Sequence, residues 1–143
     1  MLVLAVVAIV LIAIGIADCG PDKDLYVARN EQIIASLPYL DESELIGSDD
    51  AGYGRDEEDT STVGWQSIRN YLPPPGMSSA QTVNVLIDEL SEEWRLCERQ
   101  EKSGTLERDG SQISIGVTND SIDERGFRVI VDHDASYLRC TAD

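Results

Sequence analysis

Residues 105–118 read TLERDGSQISIGVT, and this stretch decides how the folded part of the chain is organised. Asp109-Gly110 favours a two-residue type I′ turn, so residues 105–108 and 111–118 are predicted to form a β-hairpin. In its second strand, apolar residues alternate with small or polar ones, which is typical of a strand with one buried face. The apolar residues are Ile113, Ile115 and Val117. An antiparallel sheet with one covered face is therefore predicted.

The segments around this hairpin complete a small domain. Val63 to Leu72 is predicted to be a strand, and Phe127 to His133 to be the last strand. Between the first strand and the hairpin, Ser78 and Gln81 form a capping box that begins a helix. An apolar stripe with spacings of three and four extends this helix to about Lys102. The stripe consists of Ala80, Val83, Ile87, Leu90, Trp94 and Cys97.

The order of these elements is β-α-β-β-β. It predicts an α+β fold in which one long helix packs across a small antiparallel sheet. We expect this domain to occupy residues 63–143.

The segment before the domain, residues 18–62, is predicted to be a short helix followed by a tether. Asp24 to Leu37 has helical character and is followed by Pro38. Residues 44–47 are compatible with a short strand. Ser48 to Thr62 is rich in glycine, serine and acidic residues, which indicates a mobile loop.

The first 17 residues, MLVLAVVAIVLIAIGIA, contain no polar or charged side chain. As a helix they would extend about 26 Å, close to the roughly 30 Å of a bilayer core. An N-terminal transmembrane helix is therefore predicted for residues 1–17. The flank that follows is acidic, whereas cytoplasmic flanks are usually rich in lysine and arginine. We therefore expect a single-pass cell-membrane protein whose domain lies on the extracytoplasmic side.

Cys19 lies at the end of a segment that resembles a bacterial lipobox. In Ile16-Ala17-Asp18-Cys19-Gly20, the leading residues fit and Cys19 would be the lipidated residue. Asp18 departs from the pattern, which requires a small neutral residue at that position. Lipidation at Cys19 is thus the alternative to a retained anchor.

The charge balance excludes some partners. The chain has 27 acidic and 11 basic residues, with a net charge of −16, and nine of the acids lie between residues 41 and 59. Such a charge repels the phosphates of nucleic acids and of anionic lipids. We expect membrane lipid around the anchor and a membrane protein partner, but no nucleic acid. The sequence leaves a small-molecule ligand open.

No catalytic or cofactor motif is present. The chain lacks a nucleophile elbow, a P-loop, a dinucleotide-binding glycine motif and a zinc-protease motif. His133 is the single histidine, and its neighbours Asp132 and Asp134 would point to the opposite face of a strand. The acidic run does not match the spacing of an EF-hand loop. A protein that is not an enzyme, without metal or cofactor, is predicted.

Cys97 and Cys140 are predicted to form a disulfide bond. Both would lie in an oxidising compartment if the topology is as expected. Cys97 ends the apolar stripe of the helix, and Cys140 follows the last strand, so the fold could bring them within bonding distance. Two free buried thiols are the alternative.

From Val63 to Asp134, the order of features resembles small uncharacterised exported domains of bacteria. These features are a Gly-Trp strand, a Pro-Pro-Gly turn, a helix near a tryptophan, a glycine-containing hairpin and a final Val-Ile-Val-Asp-His strand. The resemblance implies a domain carried behind a lipoprotein signal or a single anchor. We therefore expect an extracytoplasmic accessory or interaction protein, such as a small subunit of a membrane complex. The alternative is a free-standing lipoprotein or solute-binding module.

Overall fold

The computed structural model describes residues 22–53, 64–118 and 126–133 of the chain. These residues form helices α1 (Lys23–Ala35) and α2 (Ser79–Leu90), and strands β1 (Glu44–Tyr53), β2 (Gly64–Leu72), β3 (Arg95–Gln100), β4 (Ser103–Arg108), β5 (Ser111–Val117) and β6 (Phe127–His133). The strands form one six-stranded sheet in the order β1-β2-β6-β5-β4-β3. Every neighbouring pair of strands is antiparallel.

The predicted fold class is wrong. The expected α+β fold had a four-stranded sheet and one long helix, whereas the described residues form a mostly β domain with six strands and two helices. The two additional strands, β1 and β3, are the two edges of the sheet, and only residues 44–47 of β1 were predicted to be a strand. The order β-α-β-β-β is therefore replaced by α-β-β-α-β-β-β-β.

The predicted long helix ends much earlier than expected. It begins after Ser78 as predicted, but α2 ends at Leu90 instead of near Lys102. The backbone amide of Trp94 still donates to the carbonyl of Leu90, 2.8 Å away, and the chain then enters β3. Trp94 and Cys97 have the spacing of a helix, and this spacing led to the wrong prediction. The residues after Trp94 instead form a strand, because pairing with β4 satisfies the hydrogen bonds of their backbone.

The predicted acidic loop, residues 48–62, is wrong for residues 48–53. These residues belong to β1, which pairs with β2 along its whole length. Most side chains of β1 are exposed or half-buried, because an edge strand contacts the core little. A polar strand of this kind resembles a loop in composition. Residues 54–62 lie outside the described part of the chain.

Several local predictions are confirmed. Ser78 accepts a hydrogen bond from the backbone amide of Gln81 at 3.2 Å, and the Gln81 side chain accepts one from the backbone amide of Ser78 at 2.9 Å. Asp109 and Gly110 both have positive φ, 50° and 76°, as a type I′ turn requires. The last strand has the predicted bounds, Phe127–His133. Helix α1 is present within two residues of its predicted limits.

Both helices lie on the same face of the sheet. Asn30 of α1 donates to Ser67 of β2, and Ser67 lies opposite Val131 of β6. Val131 in turn lies opposite Ile113, and directly opposed residues share a face. Helix α2 covers the neighbouring strands on this face. A Cβ at Gly104 of β4 would lie 2.7 Å from the side chain of Ile87, so the glycine permits close packing.

The core lies between this face and the two helices. Phe127 is fully buried and stacks on Tyr71, with 5.5 Å between the ring centroids. The buried apolar residues of the core are Ile34, Leu37, Tyr71, Val83, Leu86, Ile87, Leu90, Trp94, Leu106, Ile113, Ile115, Phe127, Val129 and Val131. The predicted buried positions Ile113 and Ile115 are among them, whereas Val117 is partly buried.

Within the described ranges, no helix has the length and apolar character needed to cross a membrane. The predicted anchor, residues 1–17, lies outside these ranges, as do Cys19 and Cys140.

Candidate functional site

A groove of about 610 Å³ lies on the helix-covered face, at the end of the sheet that carries the β4–β5 turn. Helix α1 forms one wall. The other walls come from the residue before β3, from the β4–β5 hairpin and from the end of β6. The lining residues are Arg29, Gln32, Ile33, Ser36, Trp94, Arg108, Asp109, Ser111 and His133. We refer to this set of residues as the arginine groove.

Arg108 is held in place within the groove. Its guanidinium lies over the ring of Trp94, with 4.3 Å between the central carbon and the ring centroid. Trp94 is 4% exposed and belongs to the core, so the surface under the guanidinium is rigid. Arg108 also donates to a carboxylate oxygen of Glu93 at 3.0 Å. Stacking and the ion pair together orient the planar group.

Arg29 is the second cation of the groove. It lies on the exposed side of α1. Among the residues that the structure describes, none has a carboxylate within ion-pair distance of its guanidinium. An arginine that pairs with no described carboxylate, in a chain with a net charge of −16, has donor groups that a ligand can use.

Ser111 and His133 form a hydrogen-bonded pair at the base of the groove. They are opposed residues of β5 and β6, and Ser111 Oγ lies 2.6 Å from His133 Nδ1. The edge of the His133 ring faces Tyr26 of α1, with 6.5 Å between the centroids. When the serine hydroxyl donates to Nδ1, Nε2 keeps its proton and becomes a hydrogen-bond donor.

Asp132, the acid that precedes His133, does not contribute to the Ser111–His133 pair. The hydroxyl of Tyr53 donates to Asp132 at 2.6 Å on the opposite face of the sheet. The prediction that Asp132 and His133 face opposite sides is thus confirmed. Asp134 lies outside the described residues. Among the described residues, no carboxylate is hydrogen-bonded to the imidazole of His133, so none of them completes a serine-protease type triad with Ser111 and His133.

The structure places Cys97 differently from the prediction. Cys97 lies in the edge strand β3, at an irregularity in the pairing with β4, and not at the end of a helix. It is half-buried and is disulfide-bonded. The chain has three cysteines, and both possible partners, Cys19 and Cys140, lie outside the described residues. The pairing of Cys97 with Cys140 stays a prediction.

The acidic run between residues 41 and 59 is only partly described by the structure. Asp49 and Asp50 lie on β1, and Asp50 forms an ion pair with Arg69 of β2. Residues 56–59 lie outside the described ranges. Across the part of the chain that the structure describes, no group of three or more histidine, cysteine or acidic side chains is arranged to hold a metal ion.

A second depression, of about 380 Å³, lies on the opposite face of the sheet. Apart from Arg128, its lining consists of uncharged residues of β4, β5 and β6 and the residue after β5. It therefore offers one cation and few oriented donors. The arginine groove, with two arginines and a histidine, is the better candidate for a binding site.

Sequence reasoning missed Arg29, Trp94 and Arg108 as groove residues. Arg29 and Arg108 are far apart in the chain, and Trp94 was assigned to a helix that ends before it. One signal was present. Arg108 precedes the predicted Asp109-Gly110 turn, so the sequence placed it at the end of the sheet.

No family model matches the chain, and nothing among the curated proteins or the solved structures matches it. The function is therefore argued from the residues of the chain.

Proposed function

We propose that the chain is a membrane-anchored extracytoplasmic interaction protein, an accessory component that works with a membrane protein partner. One observation carries the proposal. Residues 1–17 have no polar or charged side chain, whereas all 27 acidic and 11 basic residues follow them. An uncharged run of this length with an acidic flank is typical of a membrane-attached segment whose acidic side is translocated.

The disulfide bond of Cys97 supports an extracytoplasmic location. Disulfide bonds persist in oxidising compartments and are rare in proteins of the cytosol. An accessory role fits the small size of the domain, which has one hydrophobic core.

The alternative function is a solute-binding module lipidated at Cys19. The arginine groove favours it, because its volume of about 610 Å³ lies within the range of small-molecule sites, about 300–1,000 Å³. The two proposed functions imply different chemical structures at the mature amino terminus. Mass spectrometry should find an intact Met1 for the anchored protein, and a lipid on Cys19 for the lipoprotein.

Membrane attachment through residues 1–17 predicts how the full-length chain fractionates. It should remain with the membranes after an alkaline carbonate wash, because apolar insertion, unlike ionic adsorption, resists high pH and salt. The matched variant lacks residues 2–17 and should be recovered in the soluble fraction. Recovery of the full-length chain in that fraction would contradict the proposal, as would retention of the shortened variant on washed membranes.

A further inference from the structure

We infer that the arginine groove binds the oxyanion group, a carboxylate or a phosphate, of a small organic molecule. This inference goes beyond the proposed function, because it depends on the described domain and not on the membrane segment. The groove is lined by two arginines from different elements, Arg29 on α1 and Arg108 on the β4–β5 hairpin. Guanidinium groups bind planar and tetrahedral oxyanions through paired hydrogen bonds.

The charge of the groove differs from that of the whole chain. The chain has a net charge of −16, but the described lining includes two arginines, a histidine and a single acid. That acid, Asp109, is exposed at the tip of the hairpin turn. Glu93 lies beside the groove and uses one nitrogen of Arg108. The two guanidinium groups therefore balance the two nearby carboxylates, so an anion meets much less repulsion in the groove than over the rest of this acidic surface.

The two arginines have different roles in this arrangement. Arg108 is oriented before a ligand binds, because it stacks on the buried Trp94 and contacts Glu93. A preoriented donor loses little conformational freedom on binding. Arg29 has no ion-pair partner among the described residues, so a ligand oxyanion would not have to displace a carboxylate from it.

The groove also has neutral donors and more space than a single ion needs. The side chains of Gln32 and Ser36 line the α1 wall, and the Ser111–His133 pair lies at the base. At about 610 Å³ the groove has the size of sites that bind small organic molecules. We therefore expect an oxyanion attached to a polar organic body, with the oxyanion between the arginines.

Binding is tested by ¹⁵N NMR titration of the full-length chain in detergent micelles, with the two tryptophan indole N–H signals as reporters. Trp94 lines the groove, whereas Trp65 lies outside it, against Lys23 of α1. Inorganic phosphate and succinate are the two probes, and sodium chloride at matched ionic strength is the reference. A saturable shift of the Trp94 signal, larger than that of Trp65, is expected with at least one probe. Tighter binding of succinate would assign a carboxylate, and tighter binding of phosphate would assign a phosphate.

The variant Arg29→Gln should weaken the affinity for the bound probe about tenfold, because a charge-assisted hydrogen bond is lost. Arg29 is exposed and contacts no described carboxylate, so the variant should remain folded. Arg128→Gln is the matched control, since it removes the same charge from an exposed arginine on the opposite face. Shifts no larger than those with chloride, or equal affinities of the two variants, would overturn the inference.

Discussion

Replacing Cys140 with serine is expected to lower the free energy of unfolding of the full-length chain by about 4 kcal/mol. The same replacement at Cys19 should leave it unchanged. A bond between Cys97 and Cys140 closes a loop of 43 residues, and the closed loop reduces the conformational entropy of the unfolded chain. Because this domain has one modest core, such a loss is a large share of its stability.

The sheet order favours Cys140 over Cys19 as the partner of Cys97. His133 ends β6, which lies three strands from β3, or about 14 Å at roughly 4.8 Å per strand. The seven residues from His133 to Cys140 can extend about 23 Å. Lys23 begins α1 and lies over Trp65 of β2, which is four strands from β3, or about 19 Å. The four residues from Cys19 to Lys23 can extend only about 13 Å.

Denaturant unfolding of the two variants and the parent, without reductant, measures this difference. The transition of Cys140→Ser should shift to lower denaturant, and Cys19→Ser should match the parent. Adding reductant should bring the parent to the stability of Cys140→Ser. The opposite pattern, with the loss in Cys19→Ser, would show that Cys97 bonds to Cys19 and would also exclude lipidation of that thiol.

Replacing Arg69 with methionine is expected to lower the free energy of unfolding by about 3 kcal/mol. The side chain of Arg69 is 8% exposed and joins three elements of the fold. From β2 it donates to Glu31 of α1 and to Asp50 of β1, and also to the backbone carbonyl of Asp49 at 2.8 Å. Methionine fills similar space but leaves these acceptors without their donor.

The charged state of Arg69 depends on the same contacts. Burial disfavours the guanidinium, but the hydrogen bond and charge of Glu31, together with Asp50, outweigh it and raise the pKa of Arg69 above its usual value. The arginine therefore remains charged in the folded protein at any pH at which the domain is studied. Its replacement removes a cation and not a neutral side chain.

Arg99→Met is the matched control for this prediction. Arg99 of β3 pairs with Asp88 of α2, but both side chains are exposed, 39% and 62%. Exposed pairs contribute little, so we expect a loss of no more than about 1 kcal/mol. Both variants are compared by denaturant unfolding against the parent. Equal losses of unfolding free energy in the two variants, or a loss below about 1 kcal/mol for Arg69→Met, would contradict this prediction. Either result would show that the buried contacts of Arg69 do not stabilise the packing of α1, β1 and β2.

Local signals in the sequence were sufficient for the parts of the fold that depend on neighbouring residues. Ser78 and Gln81 mark a helix start because their side chains satisfy nearby backbone amides. Asp109-Gly110 marks a turn because both residues adopt positive φ at low cost. Such features are determined within a few residues, so one sequence contains enough information to locate them.

Apart from residues 44–47 of β1, the edge strands could not be predicted, because they depend on distant segments of the chain and not on neighbouring residues. β1 and β3 have mostly exposed side chains, and their structure depends on pairing with β2 and β4. An edge strand needs no alternating apolar pattern, so its sequence resembles a loop or the end of a helix. The fold class was wrong because of these two strands.

The candidate site was equally hard to predict, since its parts come from distant segments. Arg29 and Arg108 line the same groove only because α1 and the β4–β5 hairpin lie at one end of the sheet. The contact between Ser111 and His133 requires the register of β5 against β6, which the sequence does not specify. The sequence gives the types of these residues, but it does not show that they lie close together in the fold.

We expect the folded domain to lie outside the cytoplasm at the membrane, and protease treatment of intact cells reveals on which side it lies. Cells carrying the full-length chain are treated with a protease that cannot cross the cytoplasmic membrane, with a cytoplasmic protein as the internal control. The residues beyond about 20 should be digested while the control remains intact. Protection of the domain until the cells are lysed would contradict this expectation.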